Sequence, residues 1–222
     1  MTGVLSSNTT NGEPGPVGSE AGGRFAGGVL LVAAVFTVIA MAHHPTGHDV
    51  GTSGGGMTLG GFIHATMIIL LAANLWGLIV FSARQGLGAW MIAGVVAYAT
   101  SFVGHLLAAV INGFIVPAVV TGVDHAQFGD LFVLLWESNQ AFATLGVYTA
   151  SAAFLIWSVW LLRSKETGNR IVGGLGLLMG IAPAGALLAG AISMNVHGAL
   201  LVYGAHAIWI GAVGVQLLRR AL

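Results

Sequence analysis

Residues 58–82 read TLGGFIHATMIILLAANLWGLIVFS, a run of 25 residues that contains no Asp, Glu, Lys or Arg. A helix needs about 20 predominantly apolar residues to cross the hydrocarbon core of a bilayer. This stretch is therefore long and apolar enough to span a membrane as one helix. Its single histidine, His64, is the one ionisable side chain that it contains.

The same pattern recurs through most of the chain. Charged residues make up 6% of the 222 residues and the mean hydropathy is +0.91, whereas about 25% of a soluble domain is charged. A water-soluble fold is excluded on this ground. We predict an all-α six-helix membrane bundle over 25–222, preceded by a flexible, Gly- and Ser-rich polar tail over 1–24. The predicted spans are 25–42, 58–82, 89–116, 131–162, 171–192 and 197–218.

The composition also excludes several classes of function. Seven basic residues spread along the chain cannot neutralise a phosphate backbone, so nucleic acid is not an expected partner. Cysteine is absent, which excludes disulfides, thiolate metal sites and a cysteine nucleophile.

The basic residues predict the orientation of the bundle. With six alternating spans, all seven fall on one side: Arg24, Arg84, Arg163, Lys165, Arg170, Arg219 and Arg220. The positive-inside rule then places both termini in the cytoplasm of a multi-pass protein of a bacterial-type inner membrane. The stretch ending in Ala40-Met41-Ala42 resembles a signal peptidase site, and cleavage after Ala42 would leave five spans.

Two spans carry helix-breaking residues. Asn112, Gly113 and Pro117 predict a break in the third span, with 114–121 lying at the membrane interface or folding back. Pro183 is expected to kink the fifth span.

Ionisable side chains inside the spans mark the candidate site, because such groups are costly in a bilayer and usually face the bundle interior. At 1.5 Å per residue, His64 and Glu137 lie about 9 Å below the outer helix ends, His105 about 10 Å and His206 about 13 Å. We therefore expect these four groups to share one layer in the outer half of the bundle. His197 lies above them at the rim, nine positions from His206 and on the opposite helix face.

The leading hypothesis is a membrane redox protein that binds b-type haem for electron transfer. Two neutral imidazoles from facing helices supply the axial ligands of such a haem. His105 with His206 is the best-matched pair by depth, and His64 with His105 is the second. The pattern is similar to that of small bacterial multi-histidine membrane proteins, which include b-type cytochromes.

Two alternatives remain open. Imidazole and carboxylate ligands suit copper, zinc or iron, and the predicted metal ligands are His64, His105, Glu137, His206 and His197. In that case His43, His44, His48 and His125 in the outer loops would capture the metal for transport or for metallation of a partner. The other alternative is an accessory subunit of a larger membrane complex, in which these groups make interhelical hydrogen bonds. Apart from lipid, the expected partners are other membrane subunits or a quinone.

Overall fold

A computed structural model describes residues 20–44, 58–122 and 125–220. Within these ranges the chain is helical and contains no strand. A π-helical turn, Ile111–Ile115, connects α3 to α4. The α-helices are α1 (Glu20–Ala42), α2 (Leu59–Arg84), α3 (Ala89–Val110), α4 (Val116–Gly122), α5 (His125–Leu162), α6 (Thr167–Leu188) and α7 (Val196–Arg219).

Six of the helical segments are long and apolar enough to cross a membrane, which confirms the predicted number of spans and indicates a multi-pass membrane protein. They are Glu20–Ala42, Leu59–Arg84, Ala89–Val120, Gly129–Leu162, Thr167–Leu188 and Val196–Arg219. Large apolar side chains such as Val32, Phe62 and Ile69 are exposed on the outside of the bundle. This surface is suited to contact with the acyl chains of a lipid bilayer.

The boundaries differ modestly from the predicted ones. Helix α1 begins at Glu20, inside the segment predicted as a polar tail, and the rest of that tail lies outside the described residues. Helix α6 begins at Thr167 and ends at Leu188, earlier than predicted at both ends. The loop that contains His48 also lies outside the described residues.

The long helices pack as a closed ring in the order α1, α2, α3, α5, α6, α7 and back to α1. Chain neighbours are therefore neighbours in space, with α4 as a short extension beside α5. Aromatic side chains fill the centre of the ring. Trp157 and Trp209 are fully buried, as are Phe81 and Phe154, and they belong to one apolar cluster.

The predicted break in the third span is wrong. The chain continues as a π-helical turn over Ile111–Ile115, in which the Val116 N–H donates to the Ile111 carbonyl, and then as α4. Proline has no N–H and clashes with the carbonyl four residues earlier. The wider π turn, placed just before Pro117, accommodates that defect without ending the helix. Pro183 lies inside α6, and the expected kink there remains a prediction.

Glycines allow backbone contact at two helix crossings. A Cβ atom at Gly27 of α1 would lie 2.7 Å from the Gly214 carbonyl oxygen of α7. A Cβ atom at Gly104 of α3 would lie 2.9 Å from the Phe142 carbonyl oxygen of α5. Any larger residue would separate these helices, so the crossings depend on glycine.

A buried asparagine joins the helix ends that carry the basic residues, which we call the basic end. Asn169 accepts hydrogen bonds at its side-chain oxygen from Gln85 of α2 and Gln216 of α7. Its amide donates to Ser164 at 2.9 Å and to Glu166 at 3.4 Å. Glu166 also forms an ion pair with Arg220. These contacts connect α2, α6 and α7 at the basic end of the ring. We call the opposite end, which carries His43 and His44, the histidine end.

Candidate functional site

His105 projects from α3 into the interior of the ring. Its side chain is buried, and its Nδ1 lies 3.2 Å from the Ser101 hydroxyl, one helical turn earlier. Its other ring nitrogen, Nε2, is buried and has no hydrogen-bond partner in the described part of the chain. Buried polar atoms are normally hydrogen-bonded, so this nitrogen is unusual.

His206 is the buried histidine of α7. Its ring packs edge-on against Phe154 of α5, with 4.9 Å between the ring centroids. The Nε2 atom of His206 also has no hydrogen-bond partner among the described residues. His105 and His206 therefore each have a buried ring nitrogen without a hydrogen-bond partner among the described residues.

Tyr203 connects His105 with the side of α7 that carries His206. Its ring centroid lies 5.1 Å from that of His105. Because residues three apart face the same side of a helix, Tyr203 presents the same side of α7 as His206. Helices α3 and α7 are not neighbours in the ring, so the contact between His105 and Tyr203 crosses the interior. It brings His105 close to the side of α7 that carries His206.

The surroundings of the His105–His206 pair are apolar and closely packed. On one side, a Cβ atom at Gly146 would lie 2.7 Å from His105 Nε2, so the imidazole lies directly against the α5 backbone. On the other, Phe154 contacts His206, stacks with Tyr98 at a centroid distance of 6.2 Å and approaches Trp209 at 4.2 Å. The pair is therefore enclosed by aromatic rings.

His64 does not share the layer of this pair. It is buried on α2, and a Cβ atom at Gly113 of the π turn would lie 2.5 Å from its Cβ. Gly113 is eight residues beyond His105, which corresponds to about 12 Å along a helix. His64 thus lies closer to the histidine end, and the prediction that it shares a depth with His105 and His206 is wrong.

At that end His64 pairs with His44. Their Nε2 atoms are 3.1 Å apart, and the ring centroids are 4.8 Å apart with the planes nearly perpendicular. His64 Nδ1 lies 2.6 Å from the Gly60 carbonyl oxygen, so this nitrogen carries the proton and donates it. A second group of imidazoles is therefore present, separate from the first.

The other predicted ligands are on the surface. Glu137 and His197 are exposed, so the prediction that Glu137 is buried is wrong. The inward polar residue of this part of α5 is Asn139, whose amide donates to the Ala108 carbonyl at 2.8 Å. Two positions separate Glu137 from Asn139, about 200° around a helix, so the two side chains point to opposite sides.

The predicted five-residue metal site does not form as one cluster. Over 20–44, 58–122 and 125–220, no three or more His, Asp or Glu side chains come together in a way that could hold a metal ion. His105 and His206 are both buried in the interior, His64 is paired with His44, and Glu137 and His197 are exposed. His48 and the side chain of His125 lie outside the described structure.

Sequence reasoning missed Asn139 and Tyr203. Asn139 lies next to Gln140, whose amide donates to the Met194 carbonyl at 3.2 Å, and two consecutive amides in an apolar span are a detectable sign of an inward face. Tyr203, three residues before His206, could have been found from helical spacing alone.

Comparison with protein-family models, with curated proteins and with solved structures finds no match for this chain.

Proposed function

We propose that this protein binds b-type haem between α3 and α7 and transfers electrons within the membrane. His105 and His206 are the proposed axial ligands. The observation that carries the proposal is the pair of buried imidazoles on facing helices, each with an Nε2 atom that has no hydrogen-bond partner in the described chain. Leaving a buried polar atom unpaired costs about 1–3 kcal/mol, and coordination to iron would remove that cost.

The hydrogen bond of His105 suits this role. If Nδ1 carries the proton and donates it to Ser101, 3.2 Å away, Nε2 is unprotonated and has a lone pair available for iron. Ligating histidines usually donate their second ring N–H to a neighbouring group, which fixes the tautomer and the ring orientation. Ser101 is therefore proposed as the positioning residue for His105.

The apolar surroundings suit a macrocycle, although the space has to be opened. Tyr203 and Phe154 pack directly against the two imidazoles. A bound macrocycle would need the space beside the two imidazoles, so Tyr203 and Phe154 would pack against it. Trp209 lies 4.2 Å from Phe154 between centroids, so bound haem is expected to quench tryptophan fluorescence.

The positive-inside pattern supports a particular orientation of the site. With the basic end in the cytoplasm, both termini are cytoplasmic and the haem lies toward the outer face of an inner membrane. There it would exchange electrons with a quinone in the bilayer or with another subunit of a membrane complex.

The test is haem retention in the purified full-length chain. His105→Ala and His206→Ala should each abolish the haem spectrum after extraction and reconstitution, because each removes one axial ligand. His197→Ala is the matched control, since His197 is exposed on the same helix as His206, and it should retain the wild-type spectrum. Retention of the wild-type spectrum in both interior variants would refute the proposal. Absence of haem from wild-type protein after reconstitution would favour an accessory subunit.

A further inference from the structure

We propose that His44 and His64 form a separate binding site for a divalent copper ion at the histidine end of the bundle. This site goes beyond the proposed haem function and uses neither His105 nor His206. The two Nε2 atoms lie 3.1 Å apart, so the two ring nitrogens face each other. His64 is buried and His44 is half-buried, which places the pair at the boundary of the bundle.

The spacing fits two ligands of one ion. Imidazole nitrogens bind first-row metals at about 2.0–2.1 Å. At that bond length, nitrogens 3.1 Å apart would form an angle of about 100° at the metal, close to the right angle of tetragonal copper. Among divalent first-row metals, Cu²⁺ binds nitrogen ligands most strongly. The remaining coordination positions would be taken by water or by an external ligand.

The hydrogen bonds of His64 prepare it for this role. Its Nδ1 proton is donated to the Gly60 carbonyl, so its Nε2 presents a lone pair. In the structure His44 Nε2 must then carry the proton of the bond between the two rings. Transfer of that proton to its own Nδ1 frees the second lone pair, so copper binding needs a change of tautomer and no net release of protons from the pair.

The backbone around the pair is held in place from three sides. Thr58 caps α2, because its hydroxyl accepts the Gly61 N–H at 2.9 Å, and this fixes the turn that carries the Gly60 carbonyl. His44 lies two residues beyond the end of α1, and its N–H donates to the Met41 carbonyl at 3.2 Å. Gly113 of the π turn packs against His64, and π turns occur frequently at functional sites.

The experiment is a Cu²⁺ titration of the full-length protein in detergent, followed by electron paramagnetic resonance with isotopically labelled histidine. We expect one tightly bound Cu²⁺ per chain with two imidazole nitrogens. His44→Ala should weaken binding at least tenfold, because changes of even supporting groups around a metal cost about 10–100-fold in affinity. His64→Gln should do the same. It keeps a polar side chain at a buried position, so it guards against misfolding of an alanine variant.

His43→Ala is the matched control. His43 is adjacent in sequence but exposed, and its Nδ1 donates to the Ile39 carbonyl at 2.9 Å. It should leave copper affinity unchanged. Three results would overturn the proposal: unchanged affinity in His44→Ala, an equal loss in His43→Ala, or fewer than two imidazole nitrogens on the wild-type copper. His105→Ala should lose haem and keep copper, which separates this site from the proposed function.

Discussion

Gly146→Ala tests the packing that surrounds the proposed haem ligands. A Cβ atom at this position would lie 2.7 Å from both Cδ2 and Nε2 of His105. Carbon atoms pack best at about 3.5–4.0 Å, so the imidazole or helix α5 has to move by about 1 Å. The imidazole has little room, because Tyr203 lies on its other side at a centroid distance of 5.1 Å. Helices α3 and α5 are also in backbone contact at Gly104, the residue just before His105.

The expected result is a loss of about 1–3 kcal/mol in the free energy of unfolding, the usual cost of overpacking a closely packed core. Reversible unfolding in mixed detergent micelles measures this quantity. Haem retention should fall in the same variant, because the displaced His105 imidazole no longer keeps its position relative to α7. One added methyl group is thus expected to cause both effects.

Gly204→Ala is the control for this experiment. Gly204 lies beside Tyr203 on α7, and a Cβ atom there meets nothing within 4 Å. Its stability and haem content should equal those of the wild type, or its stability should rise slightly because alanine favours the helix. If Gly146→Ala is as stable as Gly204→Ala and retains haem equally, the described contact between α5 and His105 is incorrect.

Two further predictions concern the ends of the bundle. Gly113→Ala places a Cβ atom 2.5 Å from the Cβ of His64. It should lower the free energy of unfolding by about 1–3 kcal/mol and should also weaken copper binding. If Gly113→Ala and Gly204→Ala bound copper equally well, this prediction would be contradicted. Asn169→Ala removes the acceptor of two side-chain amides at the basic end and should cost about 1–3 kcal/mol of unfolding free energy. Lys165 is exposed in the loop that precedes α6, and Lys165→Ala should stay within about 0.5 kcal/mol of wild type. Equal stability of the Asn169 and Lys165 variants would argue against the described role of Asn169.

The six spans could be predicted because the length and composition of an apolar segment are local properties of the chain. The irregular third span could be predicted only in part. Asn112, Gly113 and Pro117 indicate that a regular helix is disturbed there, but a break and a π turn both solve the local problem. The contact of Gly113 with His64 involves α2, so it cannot be predicted from the sequence of the third span alone.

The candidate site was harder to predict because it depends on how the helices face one another. The depths of His105 and His206 indicated a common layer, and both side chains are buried, with His105 in contact with Tyr203 of α7. His64 and Glu137 had similar depths by count, yet one lies nearer the helix end and the other is exposed. Helix α5 carries both Glu137 and the amides Asn139 and Gln140, and the neighbouring helices decide which of these polar groups faces inward. The pairing of His44 with His64 requires knowledge of how the end of α1 meets the start of α2.

The absorption spectrum of the native, membrane-extracted protein, recorded together with its iron content, tests the central claim most directly. Coordination by His105 and His206 predicts a Soret band and one haem iron per chain, with the spectrum of a low-spin, bis-imidazole haem. A protein with neither a Soret band nor stoichiometric iron, before or after incubation with haem, would contradict the account.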